Sequence, residues 1–289
     1  MRLSIRSICV WILVLPSLAR AEAPTLCGVG HELTDDFKYF VDNVQLDLID
    51  IVTAPLHIAD PDSVLRSPKF YLGLAGVGAL MGGAFALDQT VRSHLHDMSS
   101  SDADLLQNIS YGSISASSAL LYTYGLSVDD VRARQYTLTA GEGAGLATLL
   151  NIGIKAAFGR LRPEQDGHSH TAFFRGGASF VSGDVTPMFG LAAGISEYFD
   201  NAWYVAGPVY SLALLDGFGR IGHDAHWLSD VVGAALLGWG TTELFLYLHA
   251  QHAAEPGRWR IFPIVGPEDN STSQGRDTAL AGLGVEYDW

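Results

Sequence analysis

Cysteine is nearly absent from this chain of 289 residues: there are two, Cys9 and Cys27. Cys9 falls in an N-terminal apolar stretch with the layout of an export leader. The mature chain would therefore keep one thiol and no internal disulfide framework. Cationic residues are also scarce, 17 against 31 acidic ones, for a formal net charge of −14. Nucleic acid is thereby excluded as a partner, because no basic field is available to displace counterions from phosphates. Simple electrostatic docking on anionic lipid is disfavoured for the same reason. Charge of either sign is thin, 17% of residues against 48% hydrophobic. That balance is apolar for a soluble secreted protein and polar for a chain built mostly of membrane spans. Strand-like alternation is weak until the last residues, and no fixed-period repeat stands out. The glycines of 73–83 lack a P-loop lysine, and no nucleophile elbow of the form G-x-S-x-G appears in a strand-turn-helix context.

What is present divides the chain into four parts. Residues 1–21 read as a secretory signal, with Arg2 and Arg6, the apolar run Ile8–Leu18 and the small-x-small site Ala19-Arg20-Ala21. The run is too short for an ordinary span, so cleavage is expected, with an uncleaved anchor as the alternative. Residues 22–68 are expected to form an amphipathic helix and a linker. Phe37, Phe40, Val41, Val44, Leu48 and Ile51 recur at helical spacing, and Pro55, Pro61 and Pro68 then break the chain. Residues 69–250 hold six runs with little or no charge: Tyr71–Leu87, Ile109–Val128, Leu138–Ile154, Val185–Tyr198, Ala202–Leu215 and Val231–Ala250. Gly78/Gly82, Gly141/Gly145 and Gly190/Gly194 are small pairs of the kind that let helices approach closely. The expected fold is all-α, an antiparallel bundle of about six helices. Residues 251–289 are a polar tail in which Ala281–Trp289 has the pattern of one short strand. The lengths of the apolar runs leave open whether the bundle sits in lipid or in water.

Three clusters carry chemistry. The first is Arg220–Asp230, R-I-G-H-D-A-H-W-L-S-D. If a helix begins near His226, then His226 and Asp230 lie one turn apart on one face. A carboxylate there holds one ring nitrogen and leaves the other free to attack, and Arg220 stands ready to hold an anion at the helix start. The second is Lys155-A-A-F-G-R-L-Arg162-Pro163, where basic residues also complement a helix C-terminus. The third is Ser179-F-V-Ser182-Gly183-Asp184, where Ser182 or Asp184 also reads as a helix N-cap. In an antiparallel bundle the end of one helix and the start of its successor share a rim. All three clusters then meet, and a lysine, two arginines, a hydroxyl and glycine-exposed amides around a histidine make a phosphate cradle.

This set resembles the type 2 phosphatidic acid phosphatase family, which shares fold and site with bacterial class A acid phosphatases and vanadium haloperoxidases. The family's motifs are K-x6-R-P, P-S-G-H and S-R-x5-H-x3-D. Lys155, Arg162 and Pro163 match the first. Arg220, His226 and Asp230 match the third, with Gly219 in place of its serine. The second departs: Val181 stands for proline, and Asp184 for histidine. The resemblance covers about residues 70–250. It implies metal-independent hydrolysis of a phosphate monoester at a lipid phosphate or an isoprenoid diphosphate, through a phospho-histidine, with no cofactor. His226 would be the nucleophile and Asp230 would orient it. Lys155, Arg162, Ser182, Gly183 and Arg220 would bind the phosphoryl oxygens.

The motif-two histidine would protonate the leaving alcohol, and three readings of Asp184 compete for that role. It replaces the histidine as general acid, or His168, His170 or His223 serves instead, or the site binds phosphate or phospholipid without turning it over. A vanadate-dependent haloperoxidase is a further alternative. Export to a periplasm-facing membrane site, or to the periplasm as a soluble protein, follows from the leader and the family. The pairs His94/His96 with Asp97, and His168/His170, lack further ligands for a metal. The helix dipole or solvent exposure accounts for His249 and His252, and Glu142 and Glu243 are expected to pair inside the bundle or to face the site.

Overall fold

A computed structural model describes residues 26–57, 64–166, 169–254, 259–265 and 281–287. The leader, Pro61 and His168 lie outside the described residues. Eight helices follow in chain order: α1 Leu26–Thr53, α2 Pro68–Leu95, α3 Ser100–Val128, α4 Val131–Phe158, the single turn α5 Pro163–Asp166, α6 Val185–Tyr198, α7 Trp203–Gly222 and α8 Leu228–Ala254. The six expected runs fall in α2, α3, α4, α6, α7 and α8. The tail contains a hairpin, β1 Trp259–Val265 antiparallel to β2 Ala281–Tyr287. The last strand was visible as an alternating pattern; its partner was not.

Helix boundaries follow local chemistry. Ser67 caps α2 ahead of Pro68, whose missing N–H is harmless at the first helical position. Ser99 caps α3 and Asp130 caps α4 through bonds to the Asp102 and Ala133 amides. α4 stops at Gly159, which takes the left-handed conformation at φ 49°.

The short, apolar α6 is the central element, packed against α3, α4, α7 and α8. Val185, Met188, Phe189, Ala192 and Ile195 from α6 join Ile114, Val209, Ala213, Val231 and Ala234 in one core. Gly190 lies against Ala144 and Gly194 against Ala140. As α6 advances α4 recedes, so the two helices are antiparallel. Gly233 meets Val181 while Gly238 meets Thr186, so α8 runs parallel to α6. The C-termini of α4 and α7 and the N-termini of α6 and α8 therefore share one end. The other glycine pairs behave differently: nothing lies where a Cβ would sit at Gly78, Gly82, Gly141 or Gly145.

α1 departs in part from the expected amphipathicity: Phe40, Val41, Val44 and Ile51 are half-buried as the spacing predicts, but Phe37 and Leu48 are not. Its apolar Phe37, Leu48 and Val52 are exposed, whereas Asp36, Asn43 and Asp47 are buried against the bundle. The physical reason is opposite them. Arg134 of α4 and Tyr122 of α3 bind the Asp36 carboxylate, and His249 of α8 binds Asp47. α2 is also exposed on most sides, with every residue from Tyr71 to Leu80 open to the surroundings.

Candidate active site

The shared end of the bundle gathers all three sequence clusters. Lys155 is in the last turn of α4, and the chain from Gly159 folds back on it. The amides of Phe174, Arg175, Gly177 and Ser179 bond to the carbonyls of Phe158, Gly159, Gly159 and Arg160. This return carries Ser182, Gly183 and Asp184 to the start of α6, where the Ser182 amide binds the Asp230 carbonyl at 3.0 Å. A Cβ on Gly183 would lie 3.3 Å from the Lys155 ammonium nitrogen. A side chain there would crowd the lysine, so this close approach favours glycine.

α8 begins at Leu228, two residues later than the first cluster suggested, which leaves His226 in the approach to the helix. His226 and Asp230 are still neighbours, with Nδ1 3.6 Å from Oδ2 and both side chains buried. That separation suits an ion pair and is too long for a hydrogen bond. The same Asp230 oxygen accepts the Trp227 amide at 2.9 Å and the Ser179 hydroxyl at 2.5 Å. In reaching back to the Trp227 amide, Asp230 also closes the first turn of α8.

Beneath this pair lies Arg160, which is fully buried. Its guanidinium donates to Asp230 Oδ1 at 2.6 Å, to Asp88 Oδ2 at 2.7 Å and to the Ser229 hydroxyl at 2.7 Å. Asp88, near the C-terminal end of α2, also accepts the Ser229 amide. Sequence reasoning missed Arg160 and Asp88 as parts of the site. Arg160 stood inside the second cluster as one of three cations, and nothing in its local pattern separated it from a dipole-complementing side chain.

Arg220, in the last turn of α7, donates a hydrogen bond to the Asp184 carboxylate. Asp184 occupies the N-cap position of α6, but its side chain makes no capping bond and turns to the arginine instead. Tyr111 of α3 donates to the Asp184 carbonyl at 2.9 Å. One turn before Arg220 on α7, Asp216 is completely buried and neither carboxylate oxygen has a hydrogen-bond partner. Burial, reinforced by the charge of Asp184 and opposed by Arg220, pushes its carboxyl up to about 7. Asp216 had no counterpart in the sequence reading. An acid followed four residues later by an arginine looks like a surface helix pair.

Burial holds the His226 imidazole below its ordinary range; Asp230 opposes this, and the charges of Lys155 and Arg162 add to it. Burial likewise lowers Lys155, with Asp184 opposing and Arg162 adding. Arg162 is half-buried, and its nearest ion-pair partner is Glu164 at 3.7 Å. Of the three histidines considered as substitute acids, His170 packs its ring on Phe85 and lies 6.2 Å from the Trp227 ring. His223 ends α7 and is exposed. Five buried polar atoms here have no hydrogen-bond partner among the described residues: Ser182 Oγ, Arg220 Nε, His226 Nδ1 and the two Asp216 carboxylate oxygens. A hydroxyl, a guanidinium N–H and a neutral imidazole beside an ammonium can together receive a tetrahedral oxyanion.

A family model described as PAP2 superfamily matches residues 136–253. Over these residues the chain is similar to the PAP2 superfamily. The matched segment contains every motif residue named above, from Lys155 to Asp230. This similarity suggests phosphatase-type activity on phosphate esters. Comparison with curated proteins found no match, and comparison with solved structures found none. Two helices, Pro68–Leu95 and Leu228–Ala253, are long and apolar enough to cross a membrane, which weakly suggests membrane association.

Proposed function

We propose that this chain is a metal-independent phosphatase acting on the terminal phosphoryl group of an apolar ester, a lipid phosphate or an isoprenoid diphosphate, through a phospho-histidine at His226. The observation that carries the reading is that Ser182 Oγ and Arg220 Nε, buried and without a hydrogen-bond partner among the described residues, lie at the end of the bundle that also holds Lys155 and His226. In this reading Lys155, Arg162, Arg220, Ser182 and the Gly183 amide hold the phosphoryl oxygens. With Nδ1 turned to Asp230, Nε2 of His226 attacks phosphorus. The N–P bond forms as the P–O bond to the leaving group breaks (the alcohol of a lipid phosphate, the monophosphate of a diphosphate), and a proton from Asp184 goes to the departing oxygen. Water then attacks phosphorus, the N–P bond breaks and inorganic phosphate leaves, while Asp184 takes back a proton. An incoming dianion competes with Asp184 for Arg220 and so releases the carboxyl group toward the departing oxygen.

The Arg220–Asp184 bond also supports a second reading, in which the site binds phosphate or phospholipid and does not turn it over. An aspartate committed to its arginine would not reach a leaving group. Phosphate release from phosphatidic acid and from an isoprenoid diphosphate in detergent, across pH 4 to 8, separates the two. Turnover that falls at least about a thousandfold in His226→Ala supports hydrolysis. Retention of radiolabelled phosphate by the folded protein with no release from either ester overturns it and leaves the binder.

The apolar substrate class rests on the exposed apolar residues of α2, from Tyr71 to Leu80, and on Leu149, Ile152, Trp203 and Leu214 elsewhere on the bundle. Residues 69–250 then form a membrane-associated unit, exported by the leader 1–21, with the site facing the periplasm. Flotation with liposomes that is abolished in Leu72→Lys/Leu80→Lys would support this placement; the wild type remaining with the soluble fraction would overturn it.

A further inference from the structure

A second cluster of ionisable side chains lies away from the phosphatase rim, between α1, α4 and α8. Asp47 of α1, Glu142 of α4 and His249 of α8 converge there, with ligand-type atoms within 4.8 Å of one another. His249 Nε2 is 2.7 Å from Asp47 Oδ2 and 3.3 Å from Glu142 Oε2. All three side chains are more than nine-tenths buried. Glu142 precedes Lys155 by thirteen residues on α4, about 20 Å along the helix. The cluster therefore takes no part in the chemistry proposed at the rim.

Solvent exposure does not account for His249 and His252: their side chains are 7% and 5% accessible. The carboxylates around them are only partly compensated. Asp47 Oδ1 and Glu142 Oε2 are buried and accept no hydrogen bond from the described residues. Two buried carboxylates crowded on the His249 imidazole are costly in a dry interior unless a cation joins them. The surroundings orient the imidazole as a metal ligand's surroundings do. Its Nδ1 is engaged by the Thr139 and Tyr39 hydroxyls, each at 2.8 Å, which turns Nε2 toward both carboxylates. His252 presents Nδ1 3.7 Å from Asp47 Oδ1, and its Nε2 is held by Asp50 at 2.8 Å. On the sequence this is D-x-x-D on one helix, H-x-x-H on a second and a glutamate on a third, with side chains from facing helices projecting inward.

We propose that Asp47, Glu142 and His249 bind one divalent transition-metal ion, with an open position for water, and that the ion fastens α1 to the bundle. Mixed carboxylate and imidazole donors suit zinc or manganese better than magnesium, which prefers oxygen donors and keeps its waters. Bonds of about 2.1 Å to a tetrahedral ion place ligand atoms about 3.3 Å apart. The 3.3 Å from His249 to Glu142 already meets this, and all three ligand atoms lie within 4.8 Å of one another. The ion would neutralise the two unpaired carboxylate oxygens. It would also explain why α1 turns its polar stripe inward and its Phe37, Leu48 and Val52 outward.

Zinc binding to the tag-free full-length protein in detergent, dialysed against chelator, tests the site. Titration calorimetry should show one ion per chain at micromolar affinity or better. The melting midpoint should rise by about 5 °C at a hundredfold excess over Kd. Glu142→Gln and His249→Gln should each abolish that binding, while Asp184→Asn, far from the cluster, should keep it. The proposal is overturned if the dialysed wild type melts at the same temperature with and without zinc. It is also overturned if stoichiometric binding survives both substitutions. Should a variant not fold, the wild-type comparison decides alone. Phosphate release is not a readout here, so failure of this site leaves the proposed hydrolysis standing.

Discussion

Arg220 and Asp184 are bonded to each other across the rim of the bundle, one from the end of α7 and the other from the start of α6. The arginine of the third motif is thus held by the residue that replaces the second motif's histidine. A histidine in that place is neutral or cationic and leaves the arginine's donors free for an anion. An aspartate competes with the anion for the same guanidinium, so substrate affinity and proton donation become linked through a single side chain.

The first prediction separates these two roles. If Asp184 protonates the leaving group, Asp184→Asn should slow alkyl phosphates by about a hundredfold, a typical general-acid contribution. Nitrophenyl phosphate, whose leaving group needs no proton, should lose less than about tenfold. The same variant should bind inorganic vanadate more tightly, because Arg220 no longer faces a carboxylate. Equal losses on both substrates would remove Asp184 from proton transfer and assign it to Arg220 alone.

Asp216 gives the chain a specific dependence on pH. Its carboxyl is pushed up to about 7 by burial and by the charge of Asp184. An acid raised in the folded state favours folding while protonated. Its contribution is complete below the ordinary carboxylate range, declines as pH rises, and is lost once pH passes about 7. Asp216→Asn cannot ionise, so the difference between variant and wild type isolates this group. The variant's melting midpoint should gain on the wild type from pH 4 to pH 8, and exceed it at pH 8 by at least about 3 °C. Parallel curves over that range would show that Asp216 is not held protonated.

The expected helices and the meeting of the motifs were legible because both depend on spacing along the chain. Uncharged runs marked six of the helices, and alternating ends of an antiparallel bundle placed Lys155, Ser182, Arg220 and His226 together. The supports of the site were less legible, because they are contacts between distant positions. Asp88 looked like the charged end of an apolar run; its partner Arg160 is 72 residues away. The polar face of α1 could not be read as buried, since hydrophobic spacing pointed Phe37 and Leu48 inward. Only the Arg134 and His249 side chains opposite Asp36 and Asp47 invert that choice. Gly78/Gly82 and Gly190/Gly194 have the same four-residue spacing in sequence, yet only the second pair has a helix lying against it.

Arg160 should prove as sensitive as any residue at the rim, although it faces away from the predicted phosphate. It neutralises two buried carboxylates at once, Asp88 of α2 and Asp230 of α8. Removing one member of such a set leaves the others charged and unpaired, at about 3–5 kcal/mol. Arg160→Met should lower stability by that amount in denaturant unfolding. Arg160→Lys should recover only part of it, because one ammonium cannot reproduce the planar fork that reaches Asp88, Asp230 and Ser229 together. Arg160→Met combined with Asp88→Asn should be more stable than Arg160→Met alone by about 1–3 kcal/mol, since one stranded charge is gone. Strict additivity of the two substitutions would mean that Asp88 is satisfied without the arginine. The link from α2 through Arg160 to Asp230 would then play no part in holding the His226–Asp230 pair.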